Sequence, residues 1–138
     1  MTRPVIFLDM DGVLVLPGPA PRPLDPLCLQ RLRNLLAITN ARVVISSAWG
    51  ARAVPVLTRA GIGPILGITR AVAGPRGEQI GRWLSQHGRM FPDDVVTCYA
   101  ILDDDNNMGD HLDRLVQTEL ERGFDDEAYN KALALLSR

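Results

Sequence analysis

The sequence predicts an α/β fold in which a mainly parallel β-sheet is covered by helices on both faces. Short apolar segments rich in β-branched residues alternate with longer segments whose leucines recur every three or four residues. Continuous apolar runs are typical of strands buried on both faces, and their alternation with helical patterns indicates βαβ units with right-handed crossovers. The predicted architecture is a Rossmann-like, three-layer α/β/α sandwich.

Two strands, a proline-rich loop and two helices are predicted in the first half of the chain. A strand at 5–8 is followed by residues 17–23, whose prolines exclude a helix and predict an extended surface loop. A helix at 25–40 has leucines at helical spacing, and Asp25 or Pro26 suits its start. A second strand at 42–45 and a helix at 54–60 complete this half.

The second half is predicted to add two strands and two helices. Residues 65–68 form a short strand, and 76–87 form a helix that stops at Gly88. The last clear strand covers 95–102, and an amphipathic helix at 125–136 closes the chain.

Length and composition favour one compact domain over residues 1–138. Hydrophobic residues make up 46% of the 138 and charged residues 22%, and the formal net charge is −1. These values argue against disorder and against a polycationic nucleic-acid scaffold. All but one of the 15 cationic residues are arginine, which suits phosphate recognition but is equally well explained by codon bias.

No segment of the sequence marks export or anchoring. The apolar stretch after Pro4 is too short for a signal-peptide core, and no run approaches the ~18 apolar residues of a membrane span. Cys28 and Cys98 lie far apart without metal-ligand spacing, so we predict neither a disulfide nor a zinc site and expect two buried thiols. We expect a cytoplasmic protein without membrane association; its oligomeric state is left open.

Reactive side chains follow three of the predicted strands at the point where each strand ends. The carboxyl ends of parallel strands share one edge of a sheet, where open α/β sheets bind their ligands. We therefore expect these side chains to form one site. They are Asp9 and Asp11, Ser46 and Ser47, and Asp103, Asp104 and Asp105.

The acidic residues at two strand ends predict a bound cation. Carboxylates beside buried strands are costly unless they are paired, hydrogen-bonded or bound to a metal, and five of them would repel one another. Magnesium prefers oxygen ligands and is commonly held by one or two carboxylates together with phosphate oxygens of a substrate. The sequence therefore predicts a Mg²⁺ site and a phosphorylated substrate.

These residues resemble the motifs of the haloacid dehalogenase (HAD) superfamily of phosphatases. Residues 9–13, Asp-Met-Asp-Gly-Val, resemble its first motif, DxDG(V/T). Ser46-Ser47 resembles the second motif, Arg76 the basic third motif, and Asp103-Asp104 the acidic fourth motif. The resemblance covers roughly residues 5 to 105 and implies the same α/β fold.

A narrower resemblance is to the HAD domains associated with RNA-repair proteins. It rests on three stretches: Val-Ile-Ser-Ser-Ala-Trp at 44–49, Arg-Gly-Glu-Gln-Ile at 76–80, and Leu-Val-Gln-Thr at 115–118. This resemblance rests on the residues around the motifs rather than on a chemical requirement, so it indicates a subfamily and not a substrate.

The superfamily resemblance implies a catalytic role for four residues. Asp9 would attack phosphorus to form an aspartyl-phosphate, and Asp11 would act as general acid and then general base. Ser47, or Ser46 if the strand ends one residue earlier, would bind the transferred phosphoryl group. Arg76 would offset its charge, with Arg70 as the alternative.

The same resemblance implies a set of metal and substrate ligands. Mg²⁺ would be held by Asp9, by the backbone carbonyl of Asp11, and by Asp104 or Asp103, of which Asp104 aligns better with the usual ligand. Gly12 would join Ser46, Ser47 and Arg76 in binding the substrate.

The aromatic and histidine residues have less specific interpretations. Trp49 could stack a nucleobase or pack in the core, whereas Trp83 follows an apolar helical pattern and is expected in the core. We expect His87 and His111 to be structural or exposed.

The intervals between the motifs are too short for a separate cap domain, so we expect an open site. An open site admits a nucleic-acid end or a phosphoprotein; a small phosphate ester would need a lid from a partner subunit or from residues 17–23. The alternative is a docking module that binds a phosphorylated partner without turnover. Asp9 and Asp11, both present, argue against that alternative.

Overall fold

The computed structural model describes residues 3–69 and 74–137, which contain one five-stranded, all-parallel sheet. The strands, in sheet order β3-β2-β1-β4-β5, and the helices confirm the predicted Rossmann-like α/β fold. The strands are β1 (Val5–Leu8), β2 (Arg42–Ile45), β3 (Ile65–Ile68), β4 (Tyr99–Asp103) and β5 (Leu115–Gln117). The helices are α1 (Pro26–Thr39), α2 (Ala53–Arg59), α3 (Arg76–Met90) and α4 (Asp126–Leu136).

The strand order determines where the crevice of the sheet lies. From β1 the chain runs outward through β2 to β3, then crosses back to β4 on the other side of β1. Right-handed crossovers therefore put α1 and α2 on one face and α3 on the other. The direction of winding changes beside β1, and in such sheets the ligand binds beyond the carboxyl ends of the strands at that point.

Alternation along the strands divides the core between the two faces. Ile6 and Leu8 belong to the cluster that contains α1, α2 and α4. Val5 and Phe7 belong to the cluster under α3. All four strand residues are fully buried, which explains why β1 is a continuous apolar run in the sequence.

The boundaries of α1 and α4 follow from their caps. The Asp25 carboxylate accepts the Cys28 N–H at 3.0 Å, and Asn40 takes a left-handed conformation (φ 59°) at the other end of α1. The Asp125 carboxylate caps α4 by accepting the Ala128 N–H at 2.9 Å. These caps satisfy backbone groups that a helix end leaves without partners, and Asp25 is one of the two residues predicted to start α1.

The strand predicted at 95–102 begins four residues later in the structure, at Tyr99, and β5 was not predicted. Strand β4 begins at Tyr99 because the register with β1 starts there, opposite Val5, and Val95 is exposed instead. Strand β5 is only three residues long and directly follows a 3-10 helix at Gly109–Arg114. Such a short segment has no periodicity from which a strand could be identified.

The predicted stop of α3 at Gly88 was wrong. The helix continues through Gly88 to Met90 and ends at Phe91, which precedes Pro92. A glycine inside a helix costs about 1 kcal/mol but does not end it, whereas the residue before a proline is disfavoured in helical conformation.

Two further expectations concern the surface of the fold. Residues 17–23 lie in an irregular, exposed loop, as predicted. In the part of the chain that the structure describes, no helix is both long enough and apolar enough to cross a membrane.

Candidate active site

The ends of β1 and β4 place Asp9 and Asp103 side by side at the carboxyl edge of the sheet. Leu8 pairs with Leu102, and the Asp9 N–H continues the ladder by donating to the Leu102 carbonyl at 3.0 Å. Strand alternation puts Asp103 and Asp9 on the same face as Phe7, beneath α3. Both are buried, with 7% of Asp9 and 1% of Asp103 exposed.

Gly12 allows the loop after β1 to fold closely against Asp104. Its φ of +82° is a left-handed conformation that favours glycine, and a Cβ there would lie 2.7 Å from Asp104 Cγ. The Met10 carbonyl accepts the N–H groups of residues 13, 14 and 15, which tightens the loop. The glycine of the first motif therefore sets the distance between the two acidic segments.

Three carboxylates converge at this edge. Asp9, Asp103 and Asp104 each present an oxygen atom, and these oxygens lie within 4.8 Å of one another. The fold thus brings together the predicted side-chain ligands from β1 and β4. The Asp11 side chain lies outside this group; its predicted contribution was a backbone carbonyl.

Arg76 is the cation that faces these carboxylates. It occupies the first turn of α3, and its Nη1 lies 3.3 Å from Asp103 Oδ2 and 3.7 Å from Asp9 Oδ1. The same nitrogen donates to the Ser46 carbonyl. Arg76 therefore links the ends of β1, β2 and β4. Its alternative, Arg70, lies outside the described residues.

The charges of this group are not balanced by the described protein groups. Burial raises the pKa of Asp9, against the opposing effect of Arg76. Burial also raises the pKa of Asp103, and the Asp9 carboxylate raises it further. If all three carboxylates were ionised, they and the one guanidinium would carry an excess of two negative charges, and the raised pKa values of Asp9 and Asp103 reflect the cost of that excess. A divalent cation would balance that excess, so the donor set fits Mg²⁺.

The two serines after β2 differ in their surroundings. Ser46 is fully buried, and among the described residues its hydroxyl has no hydrogen-bond partner. The Ser47 hydroxyl accepts the Trp49 N–H at 3.1 Å, as in a local turn. Either hydroxyl can still donate a hydrogen bond, so the assignment between Ser46 and Ser47 stays a prediction.

Asp11 lies on the open side of the site and has two partners that the sequence did not reveal. The indole N–H of Trp49 donates to Asp11 Oδ2 at 3.1 Å, while Trp49 also packs against the core. Arg22 Nη2 lies 3.9 Å from Asp11 Oδ1. The Trp49 hydrogen bond fixes the orientation of the carboxylate that was predicted to be the general acid.

The last residue of β5 and the residue that follows it hold the acidic loops in place. The buried Thr118 hydroxyl donates to the Gly12 carbonyl at 2.7 Å, and the Thr118 N–H donates to the Asp103 carbonyl at 3.0 Å. The Gln117 side chain donates to the Asp104 carbonyl at 3.2 Å. Sequence reasoning noticed this segment only as part of the narrower resemblance and assigned it no role.

The remaining singled-out residues lie away from the carboxylates. Trp83 packs edge-on against Phe7, as expected of a core residue. His87 is buried against Asp94, and His111 contacts the Tyr99 hydroxyl at 2.6 Å. Cys28 is buried, as expected, whereas Cys98 is only partly buried; both are free thiols.

Together, the all-parallel sheet and the acidic group at its carboxyl edge define the class of protein as a Rossmann-like α/β domain of the HAD type. Residues 5–129 match the family described as the HAD domain in Swiss Army Knife RNA repair proteins, so the chain belongs to that family. Searches of the curated proteins and of the solved structures found no match.

Proposed function

We propose that this chain is a Mg²⁺-dependent phosphomonoesterase that hydrolyses a terminal phosphate on a nucleic-acid strand through an aspartyl-phosphate on Asp9. The observation that carries the proposal is the convergence of Asp9, Asp103 and Asp104, with Arg76 beside two of them, at the carboxyl edge of the sheet. Such an edge is where an α/β sheet presents ligands and catalytic groups.

Mg²⁺ would be held by Asp9, by Asp103 or Asp104, and by the Asp11 backbone carbonyl. When bound, it supplies positive charge to the carboxylates and to the phosphoryl oxygens. The net charge of the donor set supports this assignment, because the described residues supply one guanidinium for three carboxylates.

In the first half-reaction, the Asp9 carboxylate attacks phosphorus and the bond to the leaving oxygen breaks. The Met10 N–H donates to Asp9 Oδ1 at 2.8 Å and so fixes the rotation of the nucleophile. Asp11 gives its proton to the leaving oxygen. Arg76 and the Ser46 or Ser47 hydroxyl offset the charge on the phosphoryl oxygens.

In the second half-reaction, water attacks the phosphorus of the aspartyl-phosphate. Asp11, now ionised, takes a proton from that water, and the bond from phosphorus to Asp9 breaks to release inorganic phosphate. The Trp49 hydrogen bond suits both steps because it holds Asp11 Oδ2, while the Asp11 side chain as a whole is about half-exposed and its Oδ1 has no hydrogen-bond partner among the described residues. The cycle restores the starting protonation of Asp11 and the free Asp9.

A nucleic-acid end is the substrate that two observations support. Residues 3–69 and 74–137 include no separate cap over the carboxyl edge, so a bulky phosphorylated end could enter. The matched family is described by its occurrence in RNA repair proteins, and a terminal phosphate on an RNA strand is a phosphomonoester. A phosphoprotein or a small phosphate ester would be the alternative substrates.

The proposal can be tested by following phosphate release and by trapping the intermediate. The purified chain is incubated with para-nitrophenyl phosphate and with short oligoribonucleotides phosphorylated at the 5′ or the 3′ end, with Mg²⁺ or with EDTA. Acid-quenched samples are then digested, and peptide mass spectrometry locates any phosphorylated residue. We expect release only with Mg²⁺ and phosphate on Asp9.

Asp93→Asn is the matched control, because Asp93 is an exposed aspartate at the opposite edge of the sheet. It should retain both release and the phosphorylated Asp9. Phosphorylation at another residue, or release that persists in EDTA, would contradict the mechanism. Binding of the phosphorylated strands without release from any substrate would instead establish the docking module.

A further inference from the structure

The loop between β1 and α1 brings a second arginine to the active site. Arg22 Nη2 lies 3.9 Å from Asp11 Oδ1, and the side chain is 44% exposed. At this distance the pair is a weak surface ion pair rather than a close hydrogen bond. Among the described residues this is the only ion pair of Arg22, so most of its five N–H donors remain available to a ligand.

The loop that carries Arg22 is conformationally restricted. Its alternate prolines fix the backbone at every second position and remove N–H donors, which lowers the entropy lost on binding. The loop is anchored by the Asp25 N–H, which donates to the Leu14 carbonyl at 2.7 Å, and by Leu16 and Leu24, which pack against the core. The prolines are Pro17, Pro19, Pro21 and Pro23.

The two arginines of the site face different reactive carboxylates. Arg76 faces the nucleophile Asp9, whereas Arg22 faces the general acid Asp11. In an in-line displacement the nucleophile and the leaving oxygen lie on opposite sides of phosphorus. Since Asp11 must contact the leaving oxygen, Arg22 lies beside the leaving group and not beside the transferred phosphoryl group.

An apolar cleft adjoins Arg22. Its volume is about 240 Å³, below the ~300 Å³ at which pockets for whole small-molecule ligands begin. A cleft of this size suits one flat ring system, and proline and leucine side chains suit the face of a base. Its apolar lining consists of Leu16, Pro17, Pro19, Pro23, Leu24 and Pro26.

We propose that Arg22 is a substrate-binding residue that recognises a second negative charge on the leaving group, namely the phosphodiester next to the terminal phosphate of a nucleic-acid strand. This inference rests on the proposed function and adds a specificity determinant to it. Guanidinium groups recognise phosphate through charge-assisted, bidentate hydrogen bonds. The terminal nucleoside, whose oxygen leaves, would occupy the apolar cleft.

The test uses substrates that differ only in that charge. Phosphorylated dinucleotides are prepared with a natural phosphodiester or with an uncharged methylphosphonate linkage, in separate series with the phosphate at the 5′ and the 3′ end. For wild type we expect kcat/KM about tenfold higher with the phosphodiester, the size of one charge-assisted hydrogen bond. In Arg22→Gln the ratio of kcat/KM with the phosphodiester to kcat/KM with the methylphosphonate should fall to about one. This applies to whichever series, 5′ or 3′, the enzyme hydrolyses.

Two further variants separate charge recognition from other effects. Arg22→Lys keeps a point charge and should keep part of the preference. Arg89→Gln removes an exposed arginine at the far end of α3, roughly 20 Å from Arg76 at ~1.5 Å per residue, and should keep the whole preference for the phosphodiester.

A wild-type ratio of one, or a ratio that Arg22→Gln leaves unchanged, would overturn the inference. An equal loss on both linkages would also overturn it and would make Arg22 a positioning residue for Asp11. These outcomes are distinct from a failure of the proposed function, in which no phosphate is released from either linkage or from para-nitrophenyl phosphate.

Discussion

The parallel sheet buries charged groups both at the amino ends of its strands (the amino edge) and at their carboxyl ends (the carboxyl edge). The two clusters differ in how their charges are balanced. At the amino edge, Arg42 opens β2 and forms two contacts with Asp94, at 2.6 and 3.0 Å. Arg42 also donates to the Arg3 carbonyl at 2.8 Å, and His87 contacts Asp94 at 2.8 Å. Apart from the Nε of Arg42, this cluster is satisfied by the protein itself.

The carboxyl edge has the opposite balance. Asp9, Asp103 and Asp104 face Arg76, and burial raises the pKa of the first two. At the amino edge, by contrast, hydrogen bonds from Arg42 and His87 lower the pKa of Asp94 to about 2. The difference indicates that the cluster at the amino edge stabilises the fold, whereas full ionisation of the cluster at the carboxyl edge has a cost that a bound cation would reduce.

The largest contrast between the edges should be in activity. We expect Asp9→Asn to lower kcat/KM for a phosphorylated oligoribonucleotide by about 10⁴-fold or more, because the amide cannot form the aspartyl-phosphate. Asp94→Asn should lower it less than about threefold, since Asp94 lies at the far edge. Steady-state phosphate release measures both. An Asp9→Asn variant within tenfold of wild type would contradict the nucleophile assignment.

Asp94→Asn, which should have little effect on activity, should have a clear effect on stability. We expect Asp94→Asn to lower the free energy of unfolding by about 2 kcal/mol, because it leaves the buried Arg42 guanidinium without its carboxylate. This is below the ~3–5 kcal/mol of a fully buried pair, since Asp94 is partly exposed. Urea unfolding followed by circular dichroism gives the value. Unchanged stability of Asp94→Asn would show that the charged cluster at the amino edge does not stabilise the fold.

Replacing a carboxylate at the carboxyl edge should increase stability, in contrast to Asp94→Asn at the amino edge. At neutral pH in EDTA we expect Asp103→Asn to raise the free energy of unfolding by about 1 kcal/mol, because burial and Asp9 raise the pKa of Asp103 to about 8 in the folded chain and the amide removes the cost of that shift. The amide oxygen can still accept the Asp105 N–H. The same urea titration applies, and a loss of stability would mean that Asp103 is balanced within the protein.

The smallest effect concerns pH. The pKa of Asp94 is lower in the folded chain, at about 2, than its ordinary value of 3.8. Its contribution to stability is therefore complete above about pH 4 and is lost as the pH falls toward 2. After allowance for solvent screening we expect about 1 kcal/mol. Urea unfolding over this pH range should show a loss about 1 kcal/mol larger in wild type than in Asp94→Asn, in which only the other carboxylates titrate.

Local patterns explain why much of the fold was predictable. Strands β1 and β2 are continuous apolar runs, and α1 and α4 begin at aspartate caps. Strand β5 is too short for a pattern, and the start of β4 depends on its register with β1. The local sequence pattern predicts which segments are buried and where helices are capped, but it does not predict which strands pair.

The same distinction applies to the candidate site. The acidic residues were predictable because each lies at or just after the end of a strand, and parallel strands bring their ends to one edge. The Trp49 and Arg22 contacts to Asp11, and the Thr118 contact to Gly12, join segments that are distant along the chain. Only the folded arrangement reveals these partners, and two of them adjoin the proposed leaving group.

Calorimetric titration with Mg²⁺ tests most directly whether the carboxyl edge is a metal-dependent site. We predict one Mg²⁺ per wild-type chain, with the same binding in Asp94→Asn and none detectable in Asp103→Asn,Asp104→Asn. Absence of binding to wild type, or binding that survives the loss of both β4 carboxylates, would contradict the account.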